Sequence, residues 1–285
     1  WSPRAFLYHN FLTQEETEHI VSIARPLMKR STVVGFQGQA EENSIRTSYG
    51  TFISRLHDPI ITDIEKRIAA WTHLNISHQE DMQVLRYGVG QEYKSHFDSI
   101  AESSPRSATV ILYLNDVVQG GETAFPDSNE WSTIPVDNQV LSKCAKGSVA
   151  VKPKHGDALL FFSLKSDLTM DDAALHRGCP VIKGVKWTAT KWIHTAPFRP
   201  ELLGQELVLP RFPDQCENYD EQCDEWSDAG ECKNNPMFMI GDSFTLGSCR
   251  LACGECEVCR KGDDACMSRN REKAGFLPMI DDGTF

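Results

Sequence analysis

Cysteine is distributed unevenly along the chain, and this limits what the chain can fold into. Eight of the ten cysteines lie in the last 70 of the 285 positions. Such a density in so short a segment predicts a small module held by disulfides rather than by a large hydrophobic core. Residues 200–215 contain three prolines and are typical of a linker. We therefore expect two parts, residues 1–199 and a cysteine-rich part that begins at Cys216.

The charge of the chain excludes two classes of partner. The formal net charge is -11, and residues 216–285 hold -8 of it, with 15 Asp and Glu against 7 Lys and Arg. An acidic chain without basic clusters argues against binding to nucleic acid or to an anionic membrane surface. The longest apolar runs fall far short of the roughly 20 residues that span a bilayer. The sequence begins at Trp1 rather than at a methionine. If the protein is attached to a membrane, we expect the attachment through an N-terminal anchor that precedes this sequence.

Two helices are predicted near the N-terminus. Thr13 and Glu16 form a capping-box pattern, and apolar residues recur with helical period from Ile20 to Met28. Pro26 is expected to kink or shorten this helix. Asp58 is the predicted N-cap of the second helix, with Pro59 at its first position.

Short β-type runs follow from residue 82 onward. They cover residues 82–87, 109–114, 148–151, 158–163 and 187–194, separated by Gly, Pro, Asp and Ser. The predicted fold class is therefore α+β and mainly β, a sandwich or barrel packed against the N-terminal helices.

A metal site is indicated around His96. On a strand, the i, i+2 spacing directs His96 and Asp98 to one face, so that an imidazole and a carboxylate can share an ion. Two histidines and one carboxylate on one side of an octahedron leave positions free on Fe(II). The candidate third ligand is His176, and spacing alone leaves His155 and His194 as rivals. Most His-x-Asp triplets are surface accidents, and the remaining histidines lie in ordinary helical or loop contexts.

A lysine follows His176 at the start of the last predicted strand. Strand alternation places Lys186, Thr188, Thr190, Trp192 and His194 on one face, which is an unusual mixture for a core but suits a polar pocket. A cation beside an iron site can hold the distal carboxylate of a dicarboxylic acid. The alternative is that Lys186 is an ordinary exposed residue at a strand end.

Several ordered motifs resemble the prolyl 4-hydroxylases of plant and algal type, in the Fe(II)/2-oxoglutarate dioxygenase superfamily. The resemblance covers roughly residues 1–199. It rests on Pro3-Arg4-Ala5-Phe6, Arg46-Thr47-Ser48, the segment from Tyr87 to Asp98, Gly120-Gly121-Glu122-Thr123-Ala124-Phe125-Pro126, Lys152-Pro153, Gly156-Asp157-Ala158-Leu159, His176-Arg177-Gly178-Cys179-Pro180 and Lys186-Trp187 through Trp192. It implies a distorted double-stranded β-helix, or jelly roll, flanked by helices.

The resemblance also implies the cofactors and their ligands. Fe(II) is expected on His96, Asp98 and His176, with no catalytic side chain beyond this metal centre. Lys186 is expected to pair with the 5-carboxylate of 2-oxoglutarate. The expected helpers are Tyr87, Thr123, Tyr113 and Thr188. The implied reaction consumes O₂ and 2-oxoglutarate, releases succinate and CO₂, and hydroxylates C4 of peptidyl proline; ascorbate is expected to restore oxidised iron.

The implied substrate is a proline-rich peptide in the polyproline II conformation, which is already populated in free chains. The matching positions are Tyr93, Arg106, Trp192 and His194, with Arg46 nearby. Core packing is the alternative role of Trp192, and plain surface charge is that of Arg106. The loop 99–106 is shorter than in relatives, which affects the expected lid over the substrate and the placement of Arg106.

The C-terminal cysteines resemble a ShK-type module over residues 216–256, followed by a tail over 257–285. Six cysteines allow 15 different disulfide connectivities. The resemblance implies the one that joins Cys216 to Cys256, Cys223 to Cys249 and Cys232 to Cys253. The alternative, an iron–sulfur or zinc site on Cys253, Cys256 and Cys259, leaves Cys216, Cys223, Cys232 and Cys249 unexplained. Further pairs are expected between Cys259 and Cys266 and between Cys144 and Cys179.

An oxidising compartment is the expected location, namely the lumen of the endoplasmic reticulum or Golgi. Disulfides and a glycosylation sequon at Asn75 agree with it. The predicted protein is thus a secretory-pathway prolyl 4-hydroxylase of the procollagen-proline 4-dioxygenase type. One alternative is the same iron chemistry on lysine or another residue. The other is an extracellular ShK-type binding module with a vestigial jelly roll, against which the intact triad and Lys186 argue.

Overall fold

The computed structural model describes residues 2–31, 47–99, 104–128, 141–203, 211–242 and 245–279, and the backbone of residues 33–34 and 40–41. Among these residues no helix is both long and apolar enough to cross a membrane.

The two N-terminal helices begin where the capping signals predict. Helix α1 (Gln14–Ala24) follows Thr13, whose side chain accepts a hydrogen bond from the Glu16 N–H while Glu16 accepts one from the Thr13 N–H. It ends before Pro26 in a single 3₁₀ turn (Arg25–Leu27), because proline has no N–H to continue the helix. Helix α2 (Pro59–Thr72) is capped by Asp58, which accepts from the Ile61 N–H. Both bury an apolar face against the main sheet.

The strands are mostly short. They are β1 (Ala5–Tyr8), β2 (Lys29–Arg30), β3 (Val33–Val34), β4 (Ala40–Glu41), β5 (Tyr49–Ile53), β6 (Met82–Tyr87), β7 (Tyr93–His96), β8 (Arg106–Tyr113), β9 (Gln119–Gly120), β10 (Thr123–Phe125), β11 (Val149–Val151), β12 (Ala158–Phe162), β13 (His176–Gly178), β14 (Val181–Lys183) and β15 (Lys186–His194). Further 3₁₀ turns span Ile76–His78, Asp172–Ala174 and Pro200–Leu202.

Two antiparallel sheets form most of residues 1–199, and two two-stranded sheets, β14-β9 and β3-β4, accompany them. The larger has the order β1-β12-β8-β15-β6-β5-β2, and the smaller has the order β11-β10-β13-β7. The main core lies between the larger sheet and helices α1 and α2, and a second apolar cluster lies between the two sheets. This is the predicted mainly β class with helices on one side, and the site described below lies between the sheets.

Five disulfides close the three cysteine pairs that the ShK resemblance implies and the two further pairs expected from the sequence. Cys144 bonds to Cys179 within residues 1–199, and the other bonds join Cys216 to Cys256, Cys223 to Cys249, Cys232 to Cys253 and Cys259 to Cys266. The short helices α3 (Cys223–Asp228), α4 (Glu231–Asn234) and α5 (Pro236–Met239) surround a small core that includes Cys223, Met239 and Cys249. All ten cysteines are paired.

The segment beyond Cys256, expected only as a tail, packs back on the N-terminal part, residues 1–199. It contains helix α6 (Asp264–Lys273), whose Arg271 is buried and donates to the Pro26 carbonyl at 2.9 Å. The Leu277 N–H donates to the Met28 carbonyl at 2.8 Å, and the Leu277 side chain lies within the main core. The Arg30 N–H donates to the Gly275 carbonyl, so this segment also covers the edge of the larger sheet.

Candidate active site

Strand pairing brings two histidines together between the sheets. His96 ends β7 and His176 begins β13, and the antiparallel register places them directly opposite each other. Their ring centroids are 4.3 Å apart. Asp98 follows His96 by two residues and is buried, with Oδ1 3.4 Å from His96 Nε2 and Oδ2 3.7 Å from His176 Nε2. The pairing therefore selects His176, which spacing alone did not.

The donor atoms of these three residues fit a metal ion. They lie within 4.8 Å of one another, and no other such group of three or more occurs in the described part of the chain. His96 Nδ1 bonds to the Lys94 carbonyl at 2.8 Å and His176 Nδ1 to the Ala174 carbonyl at 3.0 Å. A carbonyl only accepts, so each Nδ1 carries the proton and each Nε2 lone pair is free for a metal. Two imidazoles and one carboxylate are the donor set of non-haem Fe(II) oxygenases.

The rival histidines are engaged elsewhere. His155 Nε2 contacts the Thr17 hydroxyl at 2.8 Å, beneath helix α1. His194 lies at the far end of β15, where Nε2 contacts Glu80 at 2.7 Å and Nδ1 contacts the Ser104 carbonyl at 2.5 Å. Neither ring joins the cluster of His96, Asp98 and His176.

The electrostatics of the cluster favour the protonation states that bind a cation. Burial raises the pKa of Asp98, but the charge of His176 and the contacts with His96 and Thr109 outweigh it and hold the pKa well below its usual range. Burial lowers the pKa of His176 to about 4, although Asp98 raises it. At neutral pH the carboxylate is therefore ionised and the His176 imidazole is neutral, as metal ligation requires.

Two residues that sequence reasoning missed or assigned otherwise hold Asp98 in place. Thr109 is fully buried in β8, and its hydroxyl donates to Asp98 Oδ2 at 2.7 Å. Arg106, at the start of the same strand, donates to the Asp98 backbone carbonyl at 3.2 Å. A polar residue within the otherwise apolar run from Ala108 to Leu112 is the available signal for Thr109, because a buried hydroxyl requires a partner.

A cavity lies beside the three ligand candidates and contains a buried cation. Its lining includes most of the predicted cofactor and substrate residues: Tyr87, Tyr93, Thr123, Lys186, Thr188 and Trp192. Lys186 opens β15 opposite Tyr87 and is only 4% exposed. No hydrogen bond or ion pair joins its ammonium to another described residue. Burial lowers the pKa of Lys186 to about 8, although Glu122 raises it. The ammonium lies 5.6 Å from the centre of the Tyr87 ring and 5.9 Å from that of the Tyr113 ring. A buried ammonium in such a place, with no described carboxylate bonded to it, fits a ligand carboxylate.

Tyr113 lies behind this lining. Its hydroxyl donates to Thr123 Oγ1 at 2.9 Å, and burial raises its pKa. Its contribution to the cavity therefore passes through Thr123, which it orients.

Two of the predicted substrate residues, Tyr93 and Trp192, line the same cavity. The Tyr93 ring stacks on His96, with centroids 3.6 Å apart. The Arg106 guanidinium lies 3.9 Å above the Trp192 ring, and the indole N–H of Trp192 is buried with no hydrogen-bond partner among the described residues. Arg46 lies outside the described residues.

Glu80 connects Arg106 to His194, and the sequence analysis did not single it out. Its carboxylate accepts from Arg106 Nε at 2.5 Å and Nη2 at 3.1 Å, and it also contacts His194. Burial raises the pKa of Glu80, but the bonds to His194 and Arg106 outweigh it and lower the pKa below its usual value. His194 is buried, and neither it nor Arg106 lines the cavity.

Comparisons with known proteins agree with this geometry. Residues 82–194 match the 2OG-Fe(II) oxygenase superfamily, and this stretch contains the three ligand candidates and Lys186. Prolyl 4-hydroxylase 2 of Arabidopsis thaliana is 44% identical over 263 residues, which cover 89% of this chain and 85% of that protein. The chain belongs to the prolyl 4-hydroxylase family. A probable prolyl 4-hydroxylase 6 of the same plant is 42% identical over 90% of this chain and 88% of its own length.

A solved structure shares the fold. The viral collagen prolyl hydroxylase of Paramecium bursaria Chlorella virus-1, in its complex with 2OG, superposes with a TM-score of 0.51 at 23% identity, over 68% of this chain and 97% of its own. The predicted jelly roll is therefore confirmed. With the family established, the chain is a proline hydroxylase that depends on Fe(II) and 2-oxoglutarate.

Proposed function

We propose that this enzyme 4-hydroxylates peptidyl proline in proline-rich proteins of the secretory pathway, with Fe(II) held by His96, Asp98 and His176. The observation that carries the proposal is the buried Lys186 ammonium, which has no hydrogen bond or ion pair to another described residue and lies in the same cavity as the His–Asp–His cluster. A cluster of metal donors alone is compatible with many reactions, whereas a cation at a fixed place beside it selects a cosubstrate with two carboxylate ends.

The cosubstrate half of the site follows from this pairing. Lys186 binds the 5-carboxylate of 2-oxoglutarate, and the hydroxyl-bearing residues Tyr87, Thr123 and Thr188 lie around the same cavity to accept or donate hydrogen bonds. Tyr113 fixes the direction of the Thr123 hydroxyl. When bound, iron and 2-oxoglutarate supply oxidising chemistry in which one atom of O₂ enters proline C4, the other enters succinate, and CO₂ leaves.

Other residues of the chain hold the metal-binding side chains in position and keep water away from them. Thr109 and Arg106 fix the Asp98 side chain and backbone, so the carboxylate does not have to reorganise when the metal binds. The two Nδ1–carbonyl bonds fix the imidazole planes in the same way. The apolar second cluster behind His176 limits access of water to this side of the site.

The peptide half of the site is formed by Tyr93, Arg106 and Trp192. Aromatic faces suit proline rings, and a polyproline II chain has carbonyls without internal partners. Arg106 and the indole N–H of Trp192, which has no hydrogen-bond partner among the described residues, are donors for such carbonyls. His194 and Glu80 position Arg106 from behind, and Arg46 is a further peptide contact in this proposal.

The cellular setting and domain division are part of the proposal. Five disulfides and an exposed Asn75 in a sequon suit the lumen of the endoplasmic reticulum or Golgi, where ascorbate keeps the iron reduced. We assign residues 1–199 to the catalytic domain, 200–215 to a linker and 216–256 to a ShK-like module. We assign the described residues after Cys256 to the catalytic domain, because the end of this segment packs against it.

A peptide panel tests the proposal. Purified protein is incubated with Fe(II), 2-oxoglutarate, ascorbate and peptides rich in proline or in lysine, and the added oxygen is located by mass spectrometry. We expect oxygen on proline alone, and no turnover by Asp98→Ala. Oxygen on lysine, or full activity of Asp98→Ala, contradicts the proposal.

A further inference from the structure

An aromatic and apolar patch is exposed on the cysteine-rich part of the chain. Helix α3 carries Trp226, which is half-buried against the small core of this part, and helix α5 carries Met237 and Phe238. Met237 is 64% exposed and Phe238 41% exposed, and the rings of Trp226 and Phe238 make an edge-to-face contact with centroids 5.5 Å apart. Large side chains that stay exposed together in a small module indicate an interaction surface.

The patch is rigid. Met239, the neighbour of Phe238, is buried against the disulfide that joins Cys223 to Cys249, and the Phe238 carbonyl accepts from the Ser248 N–H at 2.8 Å. Its rings are therefore held in place before any partner arrives. A surface of this kind loses little conformational entropy on binding.

The sequence around Trp226 is acidic. Residues 217–231 contain seven Asp and Glu and no Lys or Arg, and Glu225 and Asp228 flank Trp226 closely on α3. The negative charge repels nucleic acid and anionic lipid, and it attracts basic chains. The partner that fits is therefore cationic and also has flat apolar groups that pack on aromatic rings.

We propose that this acidic aromatic patch, formed by Trp226, Met237 and Phe238 with the acidic residues of 217–231, binds a basic, proline-rich segment of the polypeptide substrate outside the active site. Proline rings pack on Trp226 and Phe238, and Lys or Arg side chains of the substrate face the carboxylates. The inference rests on the proposed function, because it takes the same proline-rich substrate to a second place on the enzyme.

A substrate that binds at two places has a lower Michaelis constant, whereas kcat, which reports the steps after binding, is unchanged. A second site with a Kd of about 0.1 mM, acting at an effective concentration of about 1 mM across a flexible connection, tightens binding about tenfold. The KM for a substrate long enough to reach both places therefore falls about tenfold, while kcat is unchanged. The gain decreases with added salt, because exposed charges are screened.

The test compares three peptides on the full chain. Each contains the same Ser-Pro repeat target; one stops there, one continues through a flexible linker into Lys-Pro repeats, and one continues into Glu-Pro repeats. We expect the KM of the Lys-Pro peptide to be about tenfold lower than that of the other two. The double variant Met237→Ser/Phe238→Ser and the charge variant Glu225→Lys/Asp228→Lys should remove this difference with kcat unchanged. These four side chains are exposed, so the fold is preserved.

A matched control is Val258→Ser, which alters a 72% exposed apolar residue near Asp214 and should keep the difference. Equal KM values for the two extended peptides on the wild-type chain overturn the inference, as does a difference that survives in both variants. Direct titration with the Lys-Pro repeat alone separates the two proposals. Binding that the double variant loses supports the patch even if no peptide is hydroxylated, whereas failure to turn over the short peptide counts against the proposed function.

Discussion

Thr109→Val removes one hydrogen bond at Asp98 and little else. Valine has nearly the shape of threonine and keeps the β-branch that suits β8, but it cannot donate to Asp98 Oδ2, which the hydroxyl does at 2.7 Å. A hydrogen bond to a charged group contributes about 1.5–3 kcal/mol. Loss of such an outer partner lowers metal affinity by about 10- to 100-fold. We expect a weakening of that size for Mn²⁺, used as a stand-in for Fe(II).

The assay is a titration of the protein with Mn²⁺, in which the electron paramagnetic resonance signal of free Mn²⁺ reports binding without any turnover. Thr109→Ser should restore most of the affinity, because the hydroxyl is retained. Thr72→Val is the matched control: it removes a buried threonine hydroxyl that donates to the Ile68 carbonyl in α2, far from Asp98 in the fold. Equal Mn²⁺ affinity in the wild type and Thr109→Val, or no recovery in Thr109→Ser, would refute the positioning role of Thr109.

Three other perturbations have defined outcomes. Because the pKa of Lys186 is about 8, its ammonium is present below that pH and lost above it. The KM for 2-oxoglutarate should therefore rise as the pH increases beyond about 8, and it should rise less in Lys186→Arg, whose guanidinium stays charged. An identical pH profile of the KM in both proteins would count against the pairing of Lys186 with 2-oxoglutarate. Leu277→Ala should destabilise the catalytic part by about 2–5 kcal/mol in urea unfolding, whereas Met279→Ala, at 47% exposure, should change it by under about 0.5 kcal/mol. The double change Cys144→Ser/Cys179→Ser opens a loop of 35 residues and should cost about 2–4 kcal/mol; an unchanged urea midpoint would exclude a structural role for that disulfide.

Features that depend on neighbouring residues were predicted well from the sequence. Both N-terminal helices begin where the sequence predicts, after Thr13 and after Asp58. Capping signals are local, because a cap acts within the first turn of a helix. Strand β6 has the predicted bounds. Strand β8 begins at Arg106 rather than Thr109, because its pairing with β15 continues to His194, and pairing across 88 residues leaves no local signal.

Features that depend on distant parts of the chain were not predictable in this way. Strands β10 and β13 have three residues each, too few for an alternation pattern, yet β13 is what brings His176 to His96. The partnership of Glu80 with Arg106 joins residues 26 positions apart and exists only in the folded sheet. The docking of Leu277 on Met28 likewise belongs to tertiary structure.

In the proposed function, His96, Asp98 and His176 hold the iron that directs one oxygen atom to C4 of peptidyl proline. The most direct test is turnover of a proline-rich peptide under ¹⁸O₂, with mass spectrometry of the peptide and of succinate. The prediction is one labelled atom at proline C4 and one in succinate for each CO₂ released, with both products lost in Asp98→Ala. Label on another residue or at another proline carbon, or label that persists in Asp98→Ala, would contradict it.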